Sequence, residues 1–324
     1  MRSAAIRLLA VCAFAPALAF AQGAAPGYPS KPIRIIVPYG PGGIADNLAR
    51  LVGQKLTAAW GQTVIVENRP GAGTNLGSEL VAKAAPDGHT LLSAGIANTV
   101  GPALYPKLPY DPVRDFAWVT NMAKVPVMLV VHPSFPARNA RDIISLAKAK
   151  PGVIAYASAG IATSGHLAGE LFKSMAGVDL THIPYKGSAG ALIDTISGQV
   201  PLYFGAMASP MPHVKVGRLR AIAVTTLKRA SAAPDIPTLD EQGVKGFECA
   251  TWYGIAAPAG TPRDIVMKLN AEIGRAIKQP DVRERLASEG ADFVGDTPDE
   301  VTAFVKAEIV KWSRIVKSSG AKVE

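Results

Sequence analysis

Two cysteines in 324 residues exclude a disulfide framework and a four-thiolate zinc site. Charged residues make up only 18% of the chain against 48% hydrophobic, which excludes a charge-extended disordered chain and leaves ample apolar surface for a core. Aromatics reach only 6%, and no basic run is interleaved with them, so nucleic-acid binding is disfavoured. No Gly-x-Ser-x-Gly elbow occurs, so the α/β-hydrolase type of nucleophile has no carrier. No internal repeat is visible. The net charge of +9, from 34 basic and 25 acidic residues, is spread along the chain and modestly favours anionic partners.

The amino terminus carries the one long apolar run. Arg2 and Arg7 precede Leu8 to Leu18, which holds no charge, and Ala19-Phe20-Ala21 follows with small residues where a signal peptidase reads them. A signal peptide over residues 1–21, cut before Gln22, is expected. The run is too short for the ~20 apolar residues of a membrane anchor. Val11 is too large to precede a lipidated Cys12, so no lipid is expected. Cleavage takes two charges from the net +9, leaving +7 and Cys249 alone. An unpaired cysteine in an exported protein is most simply a buried small hydrophobe.

Beyond the leader, short apolar runs alternate with helical patterns. Strands are expected at Ile33–Val37, Thr63–Val66, His89–Ser93, Val125–Val131, Ile154–Ala157, Asp179–Ile183, Leu202–Phe204, Arg220–Thr225 and Tyr253–Ala257. Helices are expected at Ala45–Ala59, Asn75–Ala84, Ala140–Ala149, Thr163–Met175 and Ala189–Ser197. The last third is helical and charged, with Thr261-Pro262 and the capping box Thr297-Pro298-Asp299-Glu300 marking starts. Helices there should run Pro262–Lys278, Pro280–Glu289 and Pro298–Ser318. The pattern is α/β, with a mostly parallel sheet in two lobes and a helical tail packed on the first.

Gly40-Pro41-Gly42-Gly43-Ile44-Ala45 follows a strand, opens a helix and satisfies the degenerate dinucleotide pattern GxGxxA, with Glu67 ending the next strand. Pro41 removes a backbone donor, and export takes the protein away from nicotinamide cofactors, so no cofactor is expected. A tight strand–helix turn and an anion site at the helix start remain the two readings of this loop.

Tyr28-Pro29-Ser30-Lys31-Pro32-Ile33-Arg34-Ile35-Ile36-Val37-Pro38-Tyr39, the Gly40–Asp46 loop and Glu67-Asn68-Arg69-Pro70-Gly71-Ala72-Gly73 resemble the opening of the Bug-type receptors. Those are the periplasmic solute-binding components of tripartite tricarboxylate transporters. The resemblance continues through Ala85-Pro86-Asp87-Gly88-His89-Thr90, Gly165-His166-Leu167, Pro184-Tyr185-Lys186-Gly187, Pro234–Thr238, Ala257–Pro262 and Glu308–Trp312.

It implies a two-lobed, type II periplasmic-binding-protein fold that closes on a small carboxylate and delivers it to membrane permease subunits. The first lobe would comprise residues 28–125 and 252–324, and the second 126–251. The resemblance implies ligand contacts from Tyr39, Gly42, Gly43, Ala45 and Asp46 in one loop. A second loop would add Ser158, Ala159, Thr163, Ser164 and His166, with Ser93, Asn98 and Tyr185 nearby. Two stretches depart from the family pattern, Val200–Phe204 and Ala97–Pro102, and both are expected near the cleft, where they bear on ligand identity.

Residue by residue, Asp46 reads as a ligand contact or as a cap of its own helix. Thr163 and Ser164 read as caps whose hydroxyls suit an anion. Tyr39 and Tyr185 read as cleft walls or core, and Phe204 as core. His166 and Glu170 lie one helical turn apart without a local third ligand, so a structural role is expected and no metal. Lys186, near the second loop, is expected to matter less than Gly43. A monomeric receptor that binds without turnover is the main reading, and an exported enzyme acting on a small carboxylate with the same lobes is the alternative.

Overall fold

A computed structural model of the chain describes residues 27–185, 187–288 and 290–319. The leader, Cys12 and Lys186 lie outside the described residues.

β1 (Ile33–Val37) is apolar except for Arg34, because β2 (Val64–Asn68) and β3 (Thr90–Gly95) flank it in parallel and its Ile and Val side chains are buried. Ile33, Ile35 and Val37 meet α1 (Ile44–Trp60), which returns Ala45, Leu48, Ala49, Val52 and Leu56 from one helical stripe, while Ile36 faces the opposite layer. Each buried leucine or valine there contributes roughly 1.5–3 kcal/mol. A 3-10 turn at Ala72–Thr74 leads into α2 (Asn75–Ala82).

Immediately after β3 comes α3 (Ile96–Leu104), a helix absent from the sequence expectation because Gly101-Pro102 reads as a breaker. Pro102 is accommodated inside it. β4 (Phe116–Val131) is far longer than the expected Val125–Val131 strand. Its first part pairs antiparallel with β9 (Ala250–Pro258), and Val127–Val131 pairs with β7 (Leu202–Ala206). Register shifts near Val119 and Met122, and the polar Thr120, Asn121 and Lys124, hide its period in the sequence.

The second lobe adds α4 (Ala140–Ala149), β5 (Ala155–Ser158), α5 (Ser164–Ala176), β6 (Thr181–Pro184) and α6 (Ser188–Ile196) before β7, then α7 (Met211–Lys215) and β8 (Arg220–Val224). β5 runs parallel to β6 and β7, while β4 is antiparallel to β7 and β8. Val127, Leu129 and Val131 alternate with Met128 and Val130 between two core clusters. After β9, the chain forms α8 (Arg263–Ile277), α9 (Pro280–Ser288), the short β10 (Asp292–Phe293) and α10 (Pro298–Ser319).

One continuous sheet thus runs β2-β1-β3-β9-β4-β7-β5-β6, with β8 and β10 also paired to β4. The expected mostly parallel sheet is corrected to a mixed one. Its outer thirds are parallel, and the antiparallel pair β4/β9 runs between the lobes. The carboxy-terminal helix packs on the first lobe as expected, through α3 and β4, and also reaches α5. Trp312, fully buried, shares one core cluster with Val100 and Trp118 on one side and Phe172 and Phe247 on the other. Cys249 is buried, as expected, and burial pushes its thiol up to about 12.

Candidate functional site

The first loop leaves β1 through Tyr39 and exposes Gly40 to Gly43 at the start of α1. Gly43 is the N-cap and brings no side-chain cap, so the amides of the first turn keep N–H groups without intrahelical acceptors at the positive end of the helix dipole. Gly42 sits at φ 84°, a left-handed backbone that glycine takes without strain. Its N–H donates to Asp46 Oδ2 at 2.9 Å.

Asp46 is 3% exposed and its carboxylate is fully occupied. Asn68 Nδ2 donates to it at 2.9 Å, and the Arg50 guanidinium pairs with it at 2.9 Å. Burial alone would raise the acid's pKa, but the Arg50, Gly42 and Asn68 hydrogen bonds outweigh it and hold the group below the usual carboxylate range. Of the two readings of Asp46, a ligand contact or a cap of its own helix, the structure shows the carboxylate engaged by Gly42, Arg50 and Asn68, which anchors the loop. Asn68 also donates to the Tyr39 carbonyl at 3.1 Å, tying the end of β2 to the same loop. Neither Asn68 nor Arg50 stood out in the sequence, because their partners lie 22 residues apart in one case and one turn inside a helix in the other. Ala45 is buried in the core, so only its backbone belongs to the loop.

Glu67, the residue a dinucleotide fold would keep for a ribose, is instead gripped by Arg34 at 2.6 and 3.0 Å. That hydrogen bonding, helped by Arg69 and opposed by burial, pulls its pKa down to about 2.

The second loop joins β5 to α5. Thr163 caps the helix: its Oγ1 accepts from the His166 N–H at 3.4 Å and donates to the Gly160 carbonyl at 2.7 Å. Ser164, also expected to cap, has no such role; its carbonyl accepts from Cys249 Sγ at 3.6 Å. Ser158 is fully buried, its Oγ 2.7 Å from His182 Nε2 and accepting from the Gly160 N–H. Ala159 presents its carbonyl to the Gly187 N–H at 2.9 Å. His166 receives the Ala162 N–H on Nδ1, and its ring stacks on His182, which in turn stacks on Tyr156. Burial lowers both imidazole pKa values, His182 to about 3, with the neighbouring His166 and Lys173 adding to the effect. Glu170 accepts from Tyr156 OH at 2.7 Å and pairs with Lys173, which gives it a structural role.

The two loops share a cavity of about 450 Å³. Tyr39 and Gly40 line it from the first loop and Ile161 and Ala162 from the second, with Thr74, Val100, Leu104 and Tyr105 completing one wall. Among the described residues, three non-glycine residues have positive φ: Ala72, Thr74 and Ala162. Two of them line this cavity. Such backbone costs of order 1–3 kcal/mol per residue and gathers at ligand clamps. Gly73, also on the wall, is needed for close approach, since a Cβ there would lie 2.1 Å from the Tyr105 hydroxyl.

The remaining expectations divide. Tyr39 is on the wall, half-buried, with burial raising its phenol pKa. Asn98 has its side chain engaged inside the protein. It is fully buried, with Oδ1 accepting from the Gly95 N–H at 3.0 Å and Nδ2 donating to Ser78 and Tyr110. Ser93 is fully buried in β3 with no hydrogen-bond partner for its hydroxyl, and the cavity lining does not include it. Tyr185 donates to Asp194 at 2.5 Å, and burial together with that carboxylate pushes its pKa up to about 12. Of the two departing stretches, Ala97–Pro102 supplies Ala97, Val100 and Gly101 to the cavity. Val200–Phe204 does not reach it: Leu202, Tyr203 and Phe204 are fully buried in the second lobe.

The model of the TctC family, described as the tripartite tricarboxylate transporter family receptor, matches residues 48–321. The chain belongs to this family. Protein BugT of Bordetella pertussis is 37% identical over 322 residues, covering 98% of this chain and 99% of its own. Among solved structures, R. palustris Rpa4515 with adipate superposes with a TM-score of 0.74 at 36% identity, covering 91% of this chain and 100% of that one. MatC from Rhodopseudomonas palustris with bound malate gives 0.71 at 33% identity, covering 89% and 100%. The TctC receptor therefore has the two-lobed α/β fold of the periplasmic solute-binding proteins. It is a Bug-type receptor, and its family and structural neighbours are binding proteins.

Proposed function

We propose that this TctC receptor captures one small carboxylate between its lobes, in the periplasm and without turnover, and delivers it to the membrane permease subunits of a tripartite transporter. The observation that carries the reading is the pairing of two helix starts, α1 behind Gly40–Gly43 and α5 behind Thr163, on loops that share one cavity. Free N–H groups and aligned helix dipoles at both starts suit a carboxylate without a bidentate arginine clamp. Adipate and malate in the neighbouring structures fit the same chemistry. The division of the chain at 125/126 and 251/252, the cleaved leader and the monomeric state belong to this proposal.

Among the described residues, no three metal-ligating side chains cluster, and the cavity walls carry no nucleophile–base pair, which favours binding over chemistry. A thermal-shift screen of carboxylates tests the reading. A ligand at 100 times its dissociation constant adds ~2.7 kcal/mol, which raises the melting temperature by several degrees. A panel in which no carboxylate moves the transition removes the reading, and conversion of a bound carboxylate to product replaces it with the exported enzyme.

A further inference from the structure

The shared cavity also speaks to the kind of carboxylate. Its walls are Val100 and Leu104 of α3, Ile161 of the second loop, and the rings of Tyr39 and Tyr105. No charged side chain among the described residues lines it. Arg50, in the second turn of α1, is already paired with Asp46, and Arg34 and Arg69 are paired with Glu67. Polar groups are limited to the tyrosine and Thr74 hydroxyls and the backbone.

A carboxylate at the helix starts finds N–H donors. A second one pushed past Gly40 and Ala162 into the cavity would be desolvated against Leu104 and Ile161 with no cation among the described lining residues to receive it, which is costly for a full charge. An apolar body meets the opposite circumstances, because it covers exposed surface of Ile161, which is 49% accessible. The tyrosine faces favour a flat ring through offset or edge contacts.

We propose that this receptor prefers a monocarboxylate with an uncharged, apolar and preferably aromatic body over a di- or tricarboxylate. The carboxylate sits at the starts of α1 and α5, and the body lies between Tyr39, Tyr105, Leu104 and Ile161. This rests on the carboxylate-receptor reading and narrows it.

Calorimetry with phenylacetate, citrate, malate and adipate on the mature protein tests it. Phenylacetate is expected to bind at least tenfold more tightly than any of the other three. Ile161→Lys, at a half-exposed position that leaves the core intact, is expected to weaken phenylacetate at least tenfold and shift the preference toward adipate and malate. Citrate, malate or adipate binding more tightly than phenylacetate overturns the inference and leaves the receptor reading standing. An unchanged preference in Ile161→Lys also overturns it, because the body then lies elsewhere. Failure of all four to bind overturns the inference and counts against the receptor reading as well, which the wider carboxylate screen then decides separately.

Discussion

The Ala162 N–H donates to His166 Nδ1 over 3.1 Å, so the second loop holds its left-handed turn only while that ring nitrogen is unprotonated. His166 stacks on His182, whose Nε2 meets Ser158 Oγ. Glu170 and Lys173 are the charged groups that bear on the pair, and Tyr156 stacks on its far side.

This arrangement makes the receptor acid-sensitive. Burial takes the His182 pKa from 6.5 to about 3 and lowers that of His166. The unfolded chain therefore takes up protons below about pH 6.5 that the folded chain refuses, so stability falls as pH drops from 7 toward 3. Asp46 acts in the same direction in a lower window: its pKa is lowered, so its contribution is complete above the ordinary carboxylate range and is lost only below it. A decline in melting temperature and affinity between pH 7 and 5 therefore belongs to the histidines. His182→Gln should flatten that decline, and a variant as acid-sensitive as the wild type would show that the pair is not responsible.

Asp46→Ala leaves the Gly42 N–H and the Asn68 amide without their acceptor at a nearly buried site. A loss of about 1–3 kcal/mol in stability is expected, together with weaker ligand binding as the Gly40–Gly43 loop loses its anchor. Denaturant unfolding and calorimetry measure the two effects.

Gly43→Val separates binding from folding. Gly43 has an extended backbone at φ −81° and ψ 171°, and nothing lies within 4 Å of where its Cβ would stand. The variant should melt with the wild type yet bind at least tenfold more weakly, a loss of ~1.4 kcal/mol, because its side chain blocks approach to the amides of α1. Thr163→Ala should instead cost about 1 kcal/mol of stability through the lost cap, whereas Ser164→Ala should be milder. Normal binding by Gly43→Val would remove the first loop from the site.

Ligand should draw the lobes together, since β4 and β9 carry the chain between them and the cavity has a wall from each side. Solution scattering should give a smaller radius of gyration at saturation. The bridging position of α10, which touches both α3 and α5, predicts a modest change.

The exported protein should begin at or near Gln22 and carry no lipid; intact-mass measurement decides this, and a chain that begins at a diacyl-modified Cys12 would overturn it.

Local chemistry carried the regular elements into the sequence legibly. β1 and α4 appear with the expected bounds, because a short Ile/Val-rich run, interrupted only by Arg34, and a capped amphipathic stripe need only their own neighbours to declare themselves. The glycine loop at Gly40–Gly43 and the Thr163 cap were legible for the same reason. Tertiary structure decided what those residues do. Asp46 became an internal anchor because Asn68, 22 residues on, reaches it, and Asn98 was taken up by Gly95, Ser78 and Tyr110. The long β4, the mixed sheet and the apolar wall of Val100, Leu104 and Ile161 depend on pairings between distant segments. Periodicity records which face of an element is buried, but not which distant segment covers it, and burial beside a particular partner settles whether a polar group is left for a ligand.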